Sequence, residues 1–344
     1  MSLAQTANAD LVKMISEGEK LRSRRISGVH HISRSLQREK RQNGSPTLSS
    51  LMKQFDFTRR ENLFLDYSMT QSPIATNEGL DIYSSGEIST IDGNTPFGPH
   101  SLPQFIGNQS TMLQIVLSDF VPNSLMYHGH RSGIFNTRID PSTPHFGSMM
   151  RSSCDLSTGS LFCIGDIFPT LRDTYPNRGI AFLFSTTAAP VLIVRPESEG
   201  GIFFQLAGMM EVRIIDNVGI EEEGGRMSLD ITGTMKMRMN SKVVKGKITL
   251  NRIKMTTQTP KVLSQDELDD AAFLSHEIVQ RMTNDILKDG IPIPVHPLFK
   301  LRSPKLTLMD RSIIISTNFE LNSKLIHQLT SENMNRAVIR KRHL

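Results

Sequence analysis

Tryptophan is absent from this 344-residue chain, cysteine occurs twice, and aromatic residues make up only 6 % of it. So few aromatic rings leave little for single-stranded nucleic acid to stack on, and a nucleic-acid role is not expected. Two cysteines cannot complete a structural zinc site by themselves. No run of about 18 apolar residues occurs, so no membrane-spanning helix is expected. The start, MSLAQTANADLVKMISEGEK, lacks the basic patch and apolar block of a secretory signal. Enzyme signatures are missing as well. GHRSG at 129–133 has Arg131 where a nucleophile elbow requires serine. No Walker loop or strand-linked G-x-G-x-x-G occurs. The expectation is a protein that is not an enzyme and carries no cofactor.

What is present begins with an uneven charge. The net charge of +5 divides into +7 for residues 1–60, −6 for 61–322 and +4 for 323–344. The basic character belongs to the ends, which read as a mobile N-terminal extension (1–60) and a basic C-terminal tail (323–344) around an ordered body at 61–322. Hydrophobic residues at 38 % suffice for a sizeable core.

Within the body, FLDYSMT and LDIYSSGEIS read as strands, followed by a Pro- and Gly-rich loop. Ser110 is placed to cap a helix through Met112, Leu113, Val116, Phe120 and Val121, which Pro122 should break or restart. IAFLFST, APVLIV, GIFFQLAGMM and EVRIID read as separate strands joined by turns. In LSQDELDDAAFLSHEIVQRMTNDILKDG, Ser264 and Glu267 form an S-x-x-E capping box. Leu268, Ala271, Leu274, Ile278, Met282 and Ile286 then recur at helical spacing, and Gly290 closes the helix. SPKLTLMD and RSIIISTNFEL add two last strands. Many strands with two amphipathic helices make an α+β pattern.

MSLDITGTMKMRMN, residues 227–240, alternates apolar and polar positions with the period of a strand. Its dry face is unusually rich in methionine, a flexible, polarizable side chain suited to surfaces that accept variable partners. VKGKITLNRIKM is placed to pair with it as a hairpin. Cys154 and Cys163 can face each other across a turn, bonded in an oxidising compartment and free in a reducing one. His128 and His130, with His145 as a third ligand, or Glu221, Glu222 and Glu223 around calcium, are metal options that rank below capping histidines and an acidic loop tip. Asn43 and Asn108 stand in glycosylation sequons.

NDILKDGIPIPVHPLFKLRSPKLTLMDRSIIISTNFEL resembles the closing segment of the family of bactericidal/permeability-increasing, lipopolysaccharide-binding, cholesteryl ester transfer and phospholipid transfer proteins. There, a long helix ends in a Gly-apolar-Pro-apolar-Pro element, here Gly290 to Pro294, before two strands. Leu117, Ser118, Asp119, Phe120 and Asn123 are similar to the first helix of the family's C-terminal half. LDIYSSGEIS is similar to the strand leading into that half. The resemblance spans about residues 62–322 and implies the second of the family's two barrels, a twisted antiparallel sheet wrapped around long helices with an apolar pocket for acyl chains.

The resemblance also implies an extracellular protein that binds or transfers phospholipid-like lipid without catalysis. Met112, Val116, Phe120, Met227, Leu229, Met235, Met237, Leu274, Ile278 and Met282 are the candidate lining, with ligand entering between the sheet and the two helices. Two alternatives remain. One is an interaction module, including a homodimer, that pairs through an exposed edge of the family's central sheet. The other is recognition of lipopolysaccharide, with the basic ends supplying charge.

Overall fold

The computed structural model describes residues 63–323 apart from 78, 92, 103–110, 144–145, 155–162, 241–242, 289 and 293–298. The two basic ends, both sequons, His145 and Ser110 therefore lie outside the described residues.

The chain opens with four short strands, β1 (Leu63–Leu65), β2 (Ile74–Ala75), β3 (Leu80–Asp81) and β4 (Ile88–Thr90). They pair locally as β1 with β4 and β2 with β3. β5 (Leu113–Ser118) and helix α1 (Phe120–Arg131) follow, then β6 (Thr137–Ile139), short helices α2 (Ile164–Ile167) and α3 (Pro169–Thr174), β7 (Gly179–Thr186) and β8 (Val191–Val194). The long strands β9 (Ile202–Ile215), β10 (Glu221–Met239) and β11 (Val243–Thr257) lead into helix α4 (Gln265–Leu287). β12 (Ile291–Pro292), β13 (Phe299–Met309) and β14 (Ser312–Leu321) complete the order.

Seven strands form an antiparallel sheet in the order β12-β11-β10-β9-β7-β6, with β8 also on β9, and β13-β14-β5 make a second sheet. Among the described residues the larger sheet is open rather than closed into a barrel. Its core holds Val212 and Ile214 of β9, Met227 of β10 and Ile180 of β7 against Leu268 and Ala271 of α4. Phe168, between the two short helices, and Leu171 of α3 add to it, at a position fixed by close backbone approach. A Cβ on Gly165 would lie 1.6 Å from the Ser152 carbonyl oxygen, so no other residue fits there.

Three expectations are corrected. Residues 113–118 form a strand, and the helix begins only at Phe120. LQIVLS alternates with β-branched residues, a pattern that favours the pleat. Pro122 sits in the first helical turn, where its missing N–H has no intrahelical partner to lose, so it starts the helix instead of breaking it. GIFFQLAGMM and EVRIID are one 14-residue strand, paired along its length with β10 apart from one bulge at Glu223/Gly225, and on its other side with β7 and then β8. Glu221, Glu222 and Glu223 begin β10 instead of capping a loop, and Arg138 and Arg226 pair with Glu221 and Glu223.

The α4 cap is half of the expected box. Ser264 Oγ accepts from the Glu267 N–H at 3.3 Å, but the Glu267 carboxylate turns to Thr170, accepting from its N–H at 2.8 Å and its hydroxyl at 2.7 Å. It therefore caps α3 and ties the two helices together. At the other end Gly290 takes φ +80°, its N–H bonding the Leu287 carbonyl at 3.1 Å, as a helix-terminating glycine should.

Polar side chains of α4 also close a sheet edge. Asn284 exchanges two bonds with the Ile248 backbone (2.7 and 2.8 Å), Gln280 accepts from Leu250 N–H (2.8 Å), and Gln265 bonds the backbone of Met255 and Thr257. β12 covers only Val243 and Val244 of β11. The helix satisfies donors and acceptors that an edge strand would otherwise present to a foreign chain.

Candidate lipid-binding seam

β8 pairs with β9 on one side only, and its other edge is completed by side chains and a turn. The Asn123 amide donates to the Leu192 carbonyl at 2.7 Å and accepts from the Leu192 N–H at 2.9 Å. Two residues along, Val194 N–H approaches Asp119 Oδ2 at 3.3 Å, and the Val194 carbonyl accepts from Arg311 N–H at 2.9 Å. Asp119 and Asn123 are four apart, on one face at the start of α1. Arg311 lies in the tight turn between β13 and β14 at φ +58°. Helix, strand and turn are thereby pinned into one corner.

That corner forms a half-open cavity of about 240 Å³. Phe120, Pro190, Val191 and Ile193 give it apolar walls. The Phe97 ring meets Phe120 and Tyr127 edge-on, each at 5.9 Å between centroids. Asp119 is 0 % exposed, with Arg311 Nε 2.8 Å from its Oδ2. The contact is an ion pair whose angle is not that of a hydrogen bond, and Oδ1 has no partner among the described residues. Burial raises the Asp119 pKa above the ordinary carboxylate value, against the opposing effects of the Val194 N–H and Arg311.

Leu192 leads from the cavity into a smaller apolar cluster. Val194, Ile202 and Leu308 are buried there, and Leu192, Met235, Met237, Leu306 and Ile313 pack around them. The cluster joins the two sheets. Ile313 stands opposite Leu308 on one side and Leu117 on the other, so all three share a face. The same face continues along β5 through Ile115 and Leu113, and there it lies open, with Leu113, Ile115 and Leu117 between 37 and 42 % exposed. β5 pairs with β14 alone among the described strands.

The sequence candidates divide between several places. Met235 and Met237 lie in the seam, and Phe120 walls the cavity. Met227 and Leu229 are buried nearer the other end of β10, with Met227 in the main core. Eight residues of strand separate Met227 from Met235, roughly 26 Å, so they do not line one small site. Val116 is half-buried on the opposite face of β5, Met112 is exposed just before that strand begins, and Leu274 is half-buried on α4. Ile278 and Met282 belong to α4, but their side chains lie outside the described residues.

The sequence reading did not pick out Arg311, Leu192 or the Leu113–Leu117 row as site residues, nor did it give Asp119 and Asn123 a role. The spacing of Asp119 and Asn123 was a usable signal; Arg311, in a turn far along the chain, offered none. The structure bonds Cys154 to Cys163, Cα atoms 5.4 Å apart. His128 and His130 are two residues apart on α1, and such positions do not face each other. His128 is buried with its pKa lowered by burial, and His130 Nδ1 lies 2.6 Å from the Thr186 hydroxyl.

Residues 58–321 match the family model described as "LBP / BPI / CETP family, C-terminal domain". The chain belongs to this family. Like the C-terminal domain the model describes, it has a BPI-type fold of twisted antiparallel sheets with helices. The chain is 23 % identical over 265 residues to the lipopolysaccharide-binding protein of Bos taurus, covering 74 % of this chain and 52 % of that one. It is 23 % identical over 265 residues to the bactericidal permeability-increasing protein of Sebastes schlegelii, covering 74 % and 53 %. This LBP/BPI/CETP-family chain therefore spans about half the length of the curated relatives it matches. A crystal structure of lipopolysaccharide binding protein aligns with TM-score 0.42 and 17 % identity over 76 % of this chain and 55 % of that one. No helix among the described residues is long and apolar enough to cross a membrane.

Proposed function

We propose that the chain binds an acyl-chain lipid, phospholipid-like, along the apolar seam from the α1–β8 cavity past Met235 and Met237 to the open face of β5. It acts by binding or carrying the lipid, without catalysis. The observation that carries this reading is the exposed row Leu113, Ile115 and Leu117, continuous with the cluster that holds both methionines. An ordinary core face would be covered along its length. The cavity, about 240 Å³, is below the usual size of a small-molecule pocket and suits one end of a ligand whose chain lies along the seam. Each methylene withdrawn from water contributes about 0.8 kcal/mol, so apolar walls are sufficient for retention. Methionine lets the wall adapt to chains of different shape.

Family membership supports the same reading, and the names of the relatives favour lipopolysaccharide as a second ligand whose acyl chains would use the same seam. The disulfide supports an oxidising, extracellular setting.

Met237→Lys tests the seam. Met237 is half-buried at its edge, so a lysine there can direct its ammonium to water while placing charge beside the ligand. Lipid recovered per mole of purified protein should fall severalfold while the melting temperature stays close to the parent's. Parallel loss of lipid and stability would make Met237 plain core and remove the seam from the account.

A further inference from the structure

The β10–β11 hairpin carries a second surface that the seam does not use. Lys236 stands directly opposite Lys247, and Arg238 directly opposite Lys245. Residues opposite each other in an antiparallel ladder share a face, and all four side chains are exposed. The period of two sends Met235, Met237 and Met239 to the other face, opposite Ile248, Gly246 and Val244. β9 has already ended here, its last partner on β10 being Met235. The end of the hairpin is thus apolar on one side and cationic on the other.

Like charges directly opposite each other destabilise a strand pair, and here two such pairs follow in succession. Nothing among the described residues relieves them, since no carboxylate forms an ion pair with any of the four. Nearer the base of the same hairpin the basic residues are neutralised, Arg226 by Glu223 and Arg252 by Asp230. The sequence shows the same division. Between Asp230 and Asp266 there are eight Lys or Arg and no Asp or Glu, although the body as a whole carries a net −6. A concentrated cationic face on an otherwise acidic body fits an anionic partner that covers it.

We infer that this face of the hairpin docks on an anionic phospholipid bilayer. Neither strand contains an aromatic residue, so the stacking that holds nucleic acid is lacking. Val243, half-buried at the end of the hairpin and two residues from Lys245 on the same face, supplies an apolar group beside the cations. That pairing suits an interface where phosphates lie above acyl chains. The surface brings the protein to a membrane; the seam lies on the opposite face of the same strand, where Met235 and Met237 alternate with Lys236 and Arg238, and is a separate site.

The test is co-sedimentation of the full chain with phosphatidylcholine vesicles, with and without phosphatidylserine, at low and high salt. The parent protein should bind only the phosphatidylserine vesicles and should be released by salt. A K236Q/R238Q/K245Q/K247Q variant should bind on the order of a hundredfold more weakly, because each cation at an anionic surface contributes several-fold. A K254Q/K261Q variant should bind like the parent, which shows that position and not total charge decides. The basic ends are common to all three proteins and drop out of the comparison. Should the fourfold variant melt below the parent, K236Q/K247Q replaces it, with an expected loss of about tenfold.

Lipid retained in the seam should be the same in every variant, so failure of the surface and failure of the seam are told apart. Equal vesicle binding by parent and fourfold variant would overturn the inference. So would equal binding to neutral vesicles, or binding to lipopolysaccharide aggregates with none to phosphatidylserine vesicles.

Discussion

Arg311→Ala should lower stability at neutral pH by about 3–5 kcal/mol, the cost of leaving a buried charge without its partner. Asp119 is fully buried, Arg311 Nε stands 2.8 Å from its Oδ2, and no other cation is in contact with it among the described residues. The sign of the pH dependence follows from the direction of the Asp119 shift. Its folded pKa is raised by burial even with Arg311 present. A carboxyl raised in the folded state favours folding most below its unfolded pKa and loses that contribution as pH rises. Without Arg311 the pKa rises further, so the deficit of the variant is full at neutral pH and shrinks as pH falls through the carboxylate range. Asp119→Asn in the same background should restore part of the loss, because the charge that lacked a partner is gone. Urea unfolding of the single and double variants at neutral and acidic pH measures all of this. A pH-independent deficit in R311A would show that the guanidinium acts through packing alone.

Leu268→Ala should cost about 2–5 kcal/mol. Leu268 is 0 % exposed and packs into the cluster formed by Val212, Ile214 and Met227 of the large sheet. Its removal leaves a hole between α4 and the sheet that Glu267, fixed on Thr170 by two hydrogen bonds, does not let the helix close. Phe273→Ala five residues on provides the contrast. That ring is 57 % exposed, and its loss should stay within about 0.5 kcal/mol. Equal losses for the two would mean that α4 is not anchored at its N-terminal turns.

The periodic elements were legible because pattern and burial agree in them. α4, the β10–β11 hairpin and the two last strands each carry a period that only one secondary structure satisfies. At residues 112–121 a helical spacing could also be found, but Leu113, Ile115 and Leu117 at every second position, with β-branched Ile115 and Val116, decided the backbone. The capping box was misassigned because Glu267 had a stronger competing use, the amide and hydroxyl of Thr170, which only the tertiary fold brings near. Four of the ten candidate lining residues were drawn from one dry face of β10, and a long strand carries that face from the main core at Met227 to the seam at Met235 and Met237. Sequence gives the face but not where along it the core stops. Asn123, Asp119 and Arg311 complete the edge of β8 across chain separations that no local pattern encodes.

Lipid retention is the central claim, and native mass spectrometry of protein secreted from a eukaryotic host, followed by denaturing extraction, tests it most directly. The account predicts a stoichiometric excess over the polypeptide mass that extraction resolves into an acyl-chain lipid, phospholipid before neutral lipid. A clean polypeptide mass would contradict it; if dimeric, it would assign the open face of β5 to pairing with a second chain.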